Sequence, residues 1–551
     1  MDNSYTENYA PATATAAEAA QQQPYTPQYV PGYPQAVVPH SQPAYYATAA
    51  TTAQKPENLF KPEISDFVFA LIVFILGYIF TREVLFSWRG WIVSVFTTAY
   101  LLTVTVYLVM KGVFAGDRAT WFWMLATWIT GLSYALWENA GFVAVRALFL
   151  YSSAIYYVIV ASGRAIMGRT SNYLLVDGFN ALIIIPFRNF INQYVSFSAI
   201  RKGKKRGRVL PVILGLAITL VLALILIPML EQADSGGFGK ILNSFKDVFT
   251  RFDWDFVLYA VLSIPVSAYL YGLVSGVVYK KGSNVIKPES AQKTVQALRI
   301  LHSATIYTVL GAICVIYTVF IFSQLPYFFS AFTGRRPDGW LIYSEYARRG
   351  FFELCSIATI NLVIITIGNL TSKKHRNDMR MLKIFNIILA AITLVLIATA
   401  FSKMALYIGA YGLTMPRLLP CVFMVGLGLV FIAVIIMQKW DFSIVRFALI
   451  TGAVMLAALC LLNPDAIVVR YNTDRYLSGT LSGYDAEILY RAGSAGVSPA
   501  IEVLERTNDA ALKTEIENYL RYQRGAPGFG GQVCLESFRA REEAREELLN
   551  R

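Results

Sequence analysis

The chain has 551 residues, of which 56% are hydrophobic and only 15% are charged, and its mean hydropathy is +0.49. Soluble proteins carry about 25% charged residues, so this composition excludes an ordinary soluble domain. Continuously apolar stretches of about 20 residues recur along the chain, and such stretches cross a bilayer as helices, whereas barrel strands alternate polar and apolar residues. The sequence therefore predicts an all-α, polytopic helical membrane bundle.

The net charge of +13 could point to nucleic acid, but in a membrane protein cations gather in cytoplasmic loops beside anionic lipid. We therefore expect the lipid bilayer as a partner and no nucleic acid. The cysteines form no C-x-x-C pair and the histidines are scattered, so no disulfide framework, metal site or cofactor is predicted. These residues are Cys314, Cys355, Cys421, Cys460 and Cys534, and His40, His302 and His375.

Residues 1–60 are rich in Ala, Pro, Gln, Thr and Tyr, as in QQQPYTPQYVPGYPQ. They have too little apolar side chain to offset the entropy of ordering, so we expect a disordered cytoplasmic tail. The segment lacks the basic start and the apolar stretch of a signal peptide. We interpret it as a spacer, with a proline-rich ligand for a protein partner as the alternative.

Residues 61–462 are predicted to form the transmembrane domain, with about eleven spans and a range of ten to twelve. The predicted spans are 66–86, 91–110, 119–137, 143–163, 209–230, 256–279, 301–324, 351–370, 381–402, 417–438 and 446–462. Two further stretches, 172–191 and 239–252, have the pattern of helices that lie at the membrane surface.

Orientation follows from the distribution of Lys and Arg. The basic run RKGKKRGR at 201–208 is the strongest such signal, and KK at 280–281 and KKHR at 373–376 fall on the same side of the predicted spans. Because cytoplasmic loops accumulate cations, this side is expected to be cytoplasmic. The N-terminus is then cytoplasmic and the C-terminus extracytoplasmic.

Residues 463–551 are predicted to form a small extracytoplasmic helical module. SPAIEVLERTNDAALKTEIENYLRYQR has helical periodicity with ordinary charge, and Ser498-Pro499 is a plausible helix start. RGAPGFGG at 524–531 is expected to break the helix before a short terminal helix. A protein partner is expected either at this module or at the N-terminal tail, and the sequence leaves the oligomeric state open.

Three polar segments rich in Arg and Tyr fall at the extracytoplasmic ends of predicted spans. YSEYARRGFFEL precedes the eighth span, AYGLTMPR precedes the tenth, and NPDAIVVRYNTDRY follows the last. The charge rule that orients the spans does not use these segments as a group, yet it puts them at one membrane surface. We call them the outer-face polar cluster. Its members are Tyr343, Glu345, Tyr346, Arg348, Arg349, Glu353, Tyr411, Arg417, Asp465, Arg470, Asn472 and Arg475.

Two interpretations of this cluster are open. Arg offers a bidentate fork for phosphate or carboxylate, and Tyr a ring and hydroxyl for a sugar or lipid headgroup, so the cluster could be a binding site. Alternatively, interfacial Tyr and Arg anchor the bundle and dock the C-terminal module. Glu345, Arg349 and Glu353 recur every four residues, which on a helix allows consecutive ion pairs that ease the approach of charge to lipid.

The same three segments, in this order and spacing, resemble the signature segments of a bacterial family of multi-pass membrane proteins catalogued only as a domain of unknown function. The resemblance covers roughly residues 60–520 and excludes the Tyr- and Pro-rich tail. It implies a polytopic membrane topology in the bacterial plasma membrane. It implies no activity and no catalytic residue.

No established catalytic motif is found, and enzymatic activity is uncertain but not favoured. SGGFGKI at 235–241 has Asp234 and Ile241 where a phosphate-binding loop needs Gly and Ser or Thr. We expect non-enzymatic envelope sensing, scaffolding or regulation. The alternatives are a transporter of a small or anionic solute, with Asn361, Asn386 and Lys403 as its polar positions, and an envelope enzyme acting on a lipid-linked or phosphorylated substrate.

Overall fold

A computed structural model describes residues 60–85, 90–167, 170–198, 254–279, 288–332, 343–373, 379–481, 483–525 and 533–550, with isolated positions between 215 and 230. For residues 324–332 and 343–350, and a few single positions, it describes the backbone alone. The predictions of a disordered tail, of a span at 209–230 and of a surface helix at 239–252 concern residues that lie outside these ranges.

All regular elements within these ranges are helices, and one isolated bridge joins Leu301 to Ser372. The helices of the first half are α1 (Ile64–Ile79), which continues as a π-helix (Phe80–Leu85), α2 (Gly90–Met110), α3 (Arg118–Leu136), α4 (Val143–Ala161), α5 (Leu174–Phe179), α6 (Ile185–Arg188), α7 (Asn192–Ser198) and α8 (Trp254–Val278). Next come α9 (Pro288–Ala297), α10 (Ser303–Phe332), α11 (Tyr343–Thr371), α12 (Arg380–Tyr411), α13 (Met415–Met437) and α14 (Ile444–Leu462). The C-terminal module contains α15 (Pro464–Leu477), α16 (Glu487–Ala492), α17 (Val497–Arg506), α18 (Ala510–Gly525) and α19 (Leu535–Asn550).

Nine helices among the described residues are long and apolar enough to cross a membrane, and they coincide with nine of the eleven predicted spans. The chain is therefore an integral membrane protein with an all-α polytopic bundle, which confirms the predicted fold class. The predicted span 119–137 forms α3, whose 19 residues are about 28 Å long but less apolar. The buried hydroxyls of Thr127 and Thr130 donate to carbonyls within α3, so they need no solvent.

The membrane helices pack around two hydrophobic clusters. One is formed mainly by α1, α2, α3, α4 and α8, and the other by α10, α11, α12 and α13. Helix α14 contacts α3 and α13, and its Ala453 and Ala457 are buried in the first cluster. A third, smaller core belongs to the C-terminal module and is centred on Val497, Leu520 and Tyr519.

A network of polar side chains joins α1, α2 and α8 at one end of the bundle. Asp66 of α1 is fully buried and accepts hydrogen bonds from the hydroxyls of Tyr107 and Tyr279, each at 2.5 Å. Lys111 Nζ lies 2.9 Å from Asp66 and from Glu63. Because the carboxylate has several donors, its burial is compensated and the network fixes the ends of three helices.

The stretch 172–191, which was predicted to lie at the membrane surface, forms α5, a π-helical turn (Asn180–Ile184) and α6. Helix α6 packs tightly against α8, because a Cβ at Gly272 would lie only 2.5 Å from the Pro186 carbonyl oxygen. Residues Asp177, Asn180 and Ile185 are buried. Part of this stretch is therefore packed into the protein.

Helices α2 and α3 approach each other closely at a glycine. A Cβ on Gly131 would lie 2.6 Å from Thr97 Cγ2, and the Ser94 hydroxyl donates to the Gly131 carbonyl at 2.6 Å. Small residues allow membrane helices to reach this separation, at which van der Waals packing holds them together.

Gly131→Ala is expected to destabilise the protein by about 1–3 kcal/mol, because the methyl group must push the two helices apart. Gly452→Ala in α14 is the matched control, since nothing lies within 4 Å of its Cβ position. The control is expected to be neutral or stabilising by up to about 1 kcal/mol, from helix propensity alone. Thermal unfolding in detergent measures both variants, and equal shifts for the two would contradict the close contact.

Candidate functional site

Two of the three predicted polar segments meet at the turn after α12. Asn472 is buried and accepts from the Leu413 main-chain N–H at 2.8 Å while donating to the Leu413 carbonyl at 2.7 Å. Arg475 donates to the carbonyls of Ile408 and Gly409 at 3.2 and 2.7 Å. The segments that contain Tyr411 and Asn472, which are about 60 residues apart in the chain, are therefore in direct contact.

Arg417 lies at the same turn. One guanidinium nitrogen, Nη1, donates to the carbonyls of Tyr411 and Gly412, and the guanidinium stacks on the Tyr407 ring at 4.1 Å. Gly412 has φ +77°, and a Cβ there would clash with Asn472. Arg417, Asn472 and Arg475 thus satisfy main-chain groups that the end of a helix leaves without partners.

The other predicted members of the cluster lie in different surroundings. Arg470 pairs with Asp474 and Glu502 at the surface, and Tyr411 is exposed. Asp465 is buried elsewhere, in the junction described next. Glu353 is exposed on α11. The side chains of Tyr343, Glu345, Tyr346, Arg348 and Arg349 lie outside the described residues.

A second polar site joins the C-terminal module to the membrane helices. Glu138, in the short turn after α3, is buried and accepts from the Ser494 main-chain N–H at 2.7 Å. In return, Glu536 of α19 accepts from the Glu138 main-chain N–H at 2.9 Å and from the Asn463 amide. We call Glu138, Asn463, Asp465, Ser494 and Glu536 the carboxylate junction.

Three residues with positive φ values shape the main chain of this junction. Asn139 and Asn463 have left-handed φ values of 48° and 50°, which Asn tolerates better than most residues. Gly493 has φ +60°, and a Cβ there would lie 2.8 Å from Glu138 Oε2. The Glu138 carboxylate therefore sits directly against a main chain that only glycine can supply.

Arg146 of α4 orders the membrane side of the junction. It is fully buried, donates to the carbonyls of Trp137 and Glu138 at 3.1 and 2.8 Å, and stacks on the Tyr134 ring at 3.7 Å. These contacts supply donors to the two carbonyls that follow α3, which explains how a guanidinium can be accommodated inside a predicted span.

The junction contains more carboxylates than cations. Burial, together with the charges of Glu138 and Asp465, raises the pKa of Glu536 to about 7. Burial also raises the pKa of Asp465 to about 6, although the Gly141 N–H donates to it at 3.0 Å. Both groups can therefore change charge near neutral pH. Within the described ranges, no group of three His, Cys, Asp or Glu side chains has a metal-binding arrangement.

The sequence analysis identified Asp465 but missed Glu138, Arg146 and Glu536 as partners. Glu138 and Glu536 are 398 residues apart, and no spacing rule connects them. The available signal was local: WENAGF, Trp137–Phe142, places Glu, Asn and Gly in a short turn between two predicted membrane helices. A charged residue so close to two membrane spans is expected to face the interior of the protein rather than lipid.

The polar positions proposed for transport are mostly engaged in helix contacts. The Asn361 amide accepts from the Tyr317 hydroxyl at 2.7 Å and donates to the Thr393 hydroxyl at 2.9 Å, so it joins α10, α11 and α12. The Asn386 amide donates to Asn369 at 3.2 Å. Lys403 is close enough to Glu353 to interact with it electrostatically. Such bonds between helices are common in membrane bundles.

Arg475→Met is expected to lower stability by about 1.5–3 kcal/mol, because four charge-assisted hydrogen bonds to main-chain and hydroxyl oxygens are lost. Arg470→Met, in the same helix, is the matched control and should cost no more than about 1 kcal/mol, since it removes only surface ion pairs. Thermal unfolding in detergent compares them. An equal loss in both variants would argue against a structural role for Arg475.

Comparison with known proteins places the chain in a family. No curated protein and no solved structure shows significant similarity to it. The family model described as Domain of unknown function (DUF4153) matches residues 124–503, which include all three polar segments. The match is narrower at both ends than the expected 60–520, and it covers more than half of the chain. The protein therefore belongs to the family catalogued as the domain of unknown function DUF4153.

Proposed function

We propose that this protein is a non-enzymatic scaffold or sensor of the bacterial plasma membrane, in which the C-terminal module is held on the membrane helices and presents a surface to a protein partner. The observation that carries this proposal is the carboxylate junction. Glu138 of the membrane domain and Glu536 of the module each accept a hydrogen bond from the other's segment. A change in the packing of α3 and α4 would therefore reach the module directly.

The surface of the module supports a role in protein recognition. Tyr522 and Phe538 are 58% and 55% exposed, and the ring of Tyr522 contacts that of Tyr490, which is also exposed. Exposed aromatic residues are enriched at protein interfaces. By the distribution of basic residues, this surface is extracytoplasmic and the N-terminus cytoplasmic.

The rival functions have weaker support in the geometry. Asn361 has its amide oxygen and nitrogen both bonded to neighbouring helices, which favours packing over solute binding. Arg475 and Asn472 direct their side chains to main-chain groups, which favours anchoring over catalysis. A transporter and an enzyme are the alternative functions.

The test is photo-crosslinking in intact cells from a photoreactive amino acid at position 522, with the junction intact or disrupted. We expect a discrete crosslinked protein that is lost in Gly493→Ala, because the added methyl group displaces Glu138. Gly479→Ala is the matched control, since Gly479 also has a positive φ, +70°, but nothing lies within 4 Å of its Cβ position. It should retain the crosslink.

Orientation is measured in the same cells with a membrane-impermeant maleimide. Cys534 is buried and is a poor reporter, so the exposed Glu542 is changed to cysteine in a Cys534→Ser background. Labelling only after lysis would refute an extracytoplasmic module. Loss of solute flux in Asn361→Leu or Lys403→Met would favour a transporter, and loss of a lipid-linked product in Arg417 variants would favour an enzyme.

Docking of the module is expected to weaken as pH rises. The pKa of Glu536 is raised to about 7 in the folded protein, so the protonated form is favoured there. Its stabilising contribution is full below the unfolded pKa of about 4.3 and is lost as pH rises through about 7, a change of at most about 4 kcal/mol. The protection factors of α19 amides, which correct exchange for its intrinsic dependence on pH, should therefore be higher at pH 5 than at pH 8.

Glu536→Gln should reduce this pH dependence, because the side chain no longer titrates, leaving the smaller contribution of Asp465 below about pH 6. Glu505→Gln, at an exposed position of the same module, is the control and should keep the full dependence. A pH profile that is the same in Glu536→Gln and in the unmodified protein would contradict the assignment to Glu536.

A further inference from the structure

An apolar groove runs between α11 and α13 on the membrane-facing surface of the bundle. Its volume is about 640 Å³, within the roughly 300–1,000 Å³ typical of ligand pockets. Both helices are membrane spans, so the groove opens toward lipid. It is lined by Phe352, Cys355, Ser356, Thr359 and Ile360 of α11 and by Leu419, Pro420 and Phe423 of α13.

The surface of the groove is apolar although two of its lining residues, Ser356 and Thr359, have hydroxyl groups. The Ser356 hydroxyl donates to the Phe352 carbonyl at 2.9 Å, and the Thr359 hydroxyl to the Cys355 carbonyl at 3.0 Å. Both hydroxyls are thus turned back to their own helix. Water entering the groove would find few partners, whereas a hydrocarbon chain would be in contact with apolar surface throughout.

A cation lies at the end of this groove. Arg417 is three residues before Pro420, and residues at this spacing share one face of a helix. Its Nη1 is held by the carbonyls of Tyr411 and Gly412, and its plane is fixed on the Tyr407 ring. Nε and Nη2 have no partner among the described residues, so a pre-positioned guanidinium retains free donors.

The start of α13, at Met415, contributes a partial positive charge at the same end of the groove. The nearby acid Glu353 interacts with Lys403 of α12.

From the apolar groove and the charge at its end, we propose that α11 and α13 form a binding site for an anionic phospholipid, with one acyl chain in the groove and the phosphate at Arg417. A guanidinium with free Nε and Nη2 donors matches two phosphate oxygens. Lipid is the occupant rather than free phosphate because the lining of the groove is apolar and Arg417 lies one turn of α13 before the lining residue Pro420. This inference goes beyond the proposed scaffold role and does not depend on it.

The test uses full-length protein in nanodiscs that contain phosphatidylglycerol with a photoreactive group in the acyl chain. Mass spectrometry should map the label to peptides of α11 and α13. Unlabelled phosphatidylglycerol should compete better than zwitterionic phosphatidylcholine, and inorganic phosphate should not compete. Arg417→Gln should reduce labelling about 5- to 20-fold, while Arg470→Gln, which alters another arginine of the same polar cluster, should not.

Ser356→Phe provides a second variant that leaves Arg417 and its main-chain contacts in place. Because Ser356 is exposed in the groove, a phenyl ring there should fill the groove and reduce labelling without a loss of thermal stability. Uniform labelling of all lipid-facing helices, or equal competition by the two lipids, would overturn the site. Competition by inorganic phosphate, or crosslinks only between two copies of the chain, would overturn the assignment of lipid as its ligand.

Discussion

The main-chain carbonyls at the ends of membrane helices have no hydrogen-bond donor within the helix. In this protein arginine side chains supply the missing donors. Arg146 donates to the two carbonyls that follow α3, Arg417 and Arg475 to carbonyls at the end of α12, and Arg164 to Val277 at the end of α8. Near a bilayer such groups cannot rely on water, and an unsatisfied carbonyl is costly. The positions of the connecting turns, and of the polar groups attached to them, therefore depend on these four cations.

In the carboxylate junction the roles are reversed, because carboxylate side chains accept hydrogen bonds from main-chain N–H groups. Glu138 accepts from Ser494, and Asp465 accepts from Gly141. Each of these bonds crosses between the module and the membrane domain, so ordering one side orders the other. The small core of the module, centred on residues such as Val497 and Leu520, is thereby joined to a much larger body.

The sequence predicted where the membrane helices lie, but it predicted less well which groups the polar side chains contact. Apolar length identified nine spans that coincide with candidate membrane helices, and the charge rule brought Arg417 and Asn472 to one side of the bundle. What an arginine binds is a matter of local geometry, so the pattern could not separate a ligand site from a helix cap. Glu138 and Glu536 could not be paired at all, because only the folded chain brings them together.

The position of Glu536 has a consequence for where the protein can be cut. The family match ends at residue 503, which would be a natural boundary for a shortened chain. Such a chain would keep Glu138, with its buried carboxylate, but would lose α18 and α19, and with them Glu536 and core residues such as Leu520 and Ala544. The structural unit therefore extends beyond the family boundary, and chain ends for expression should be chosen after α19.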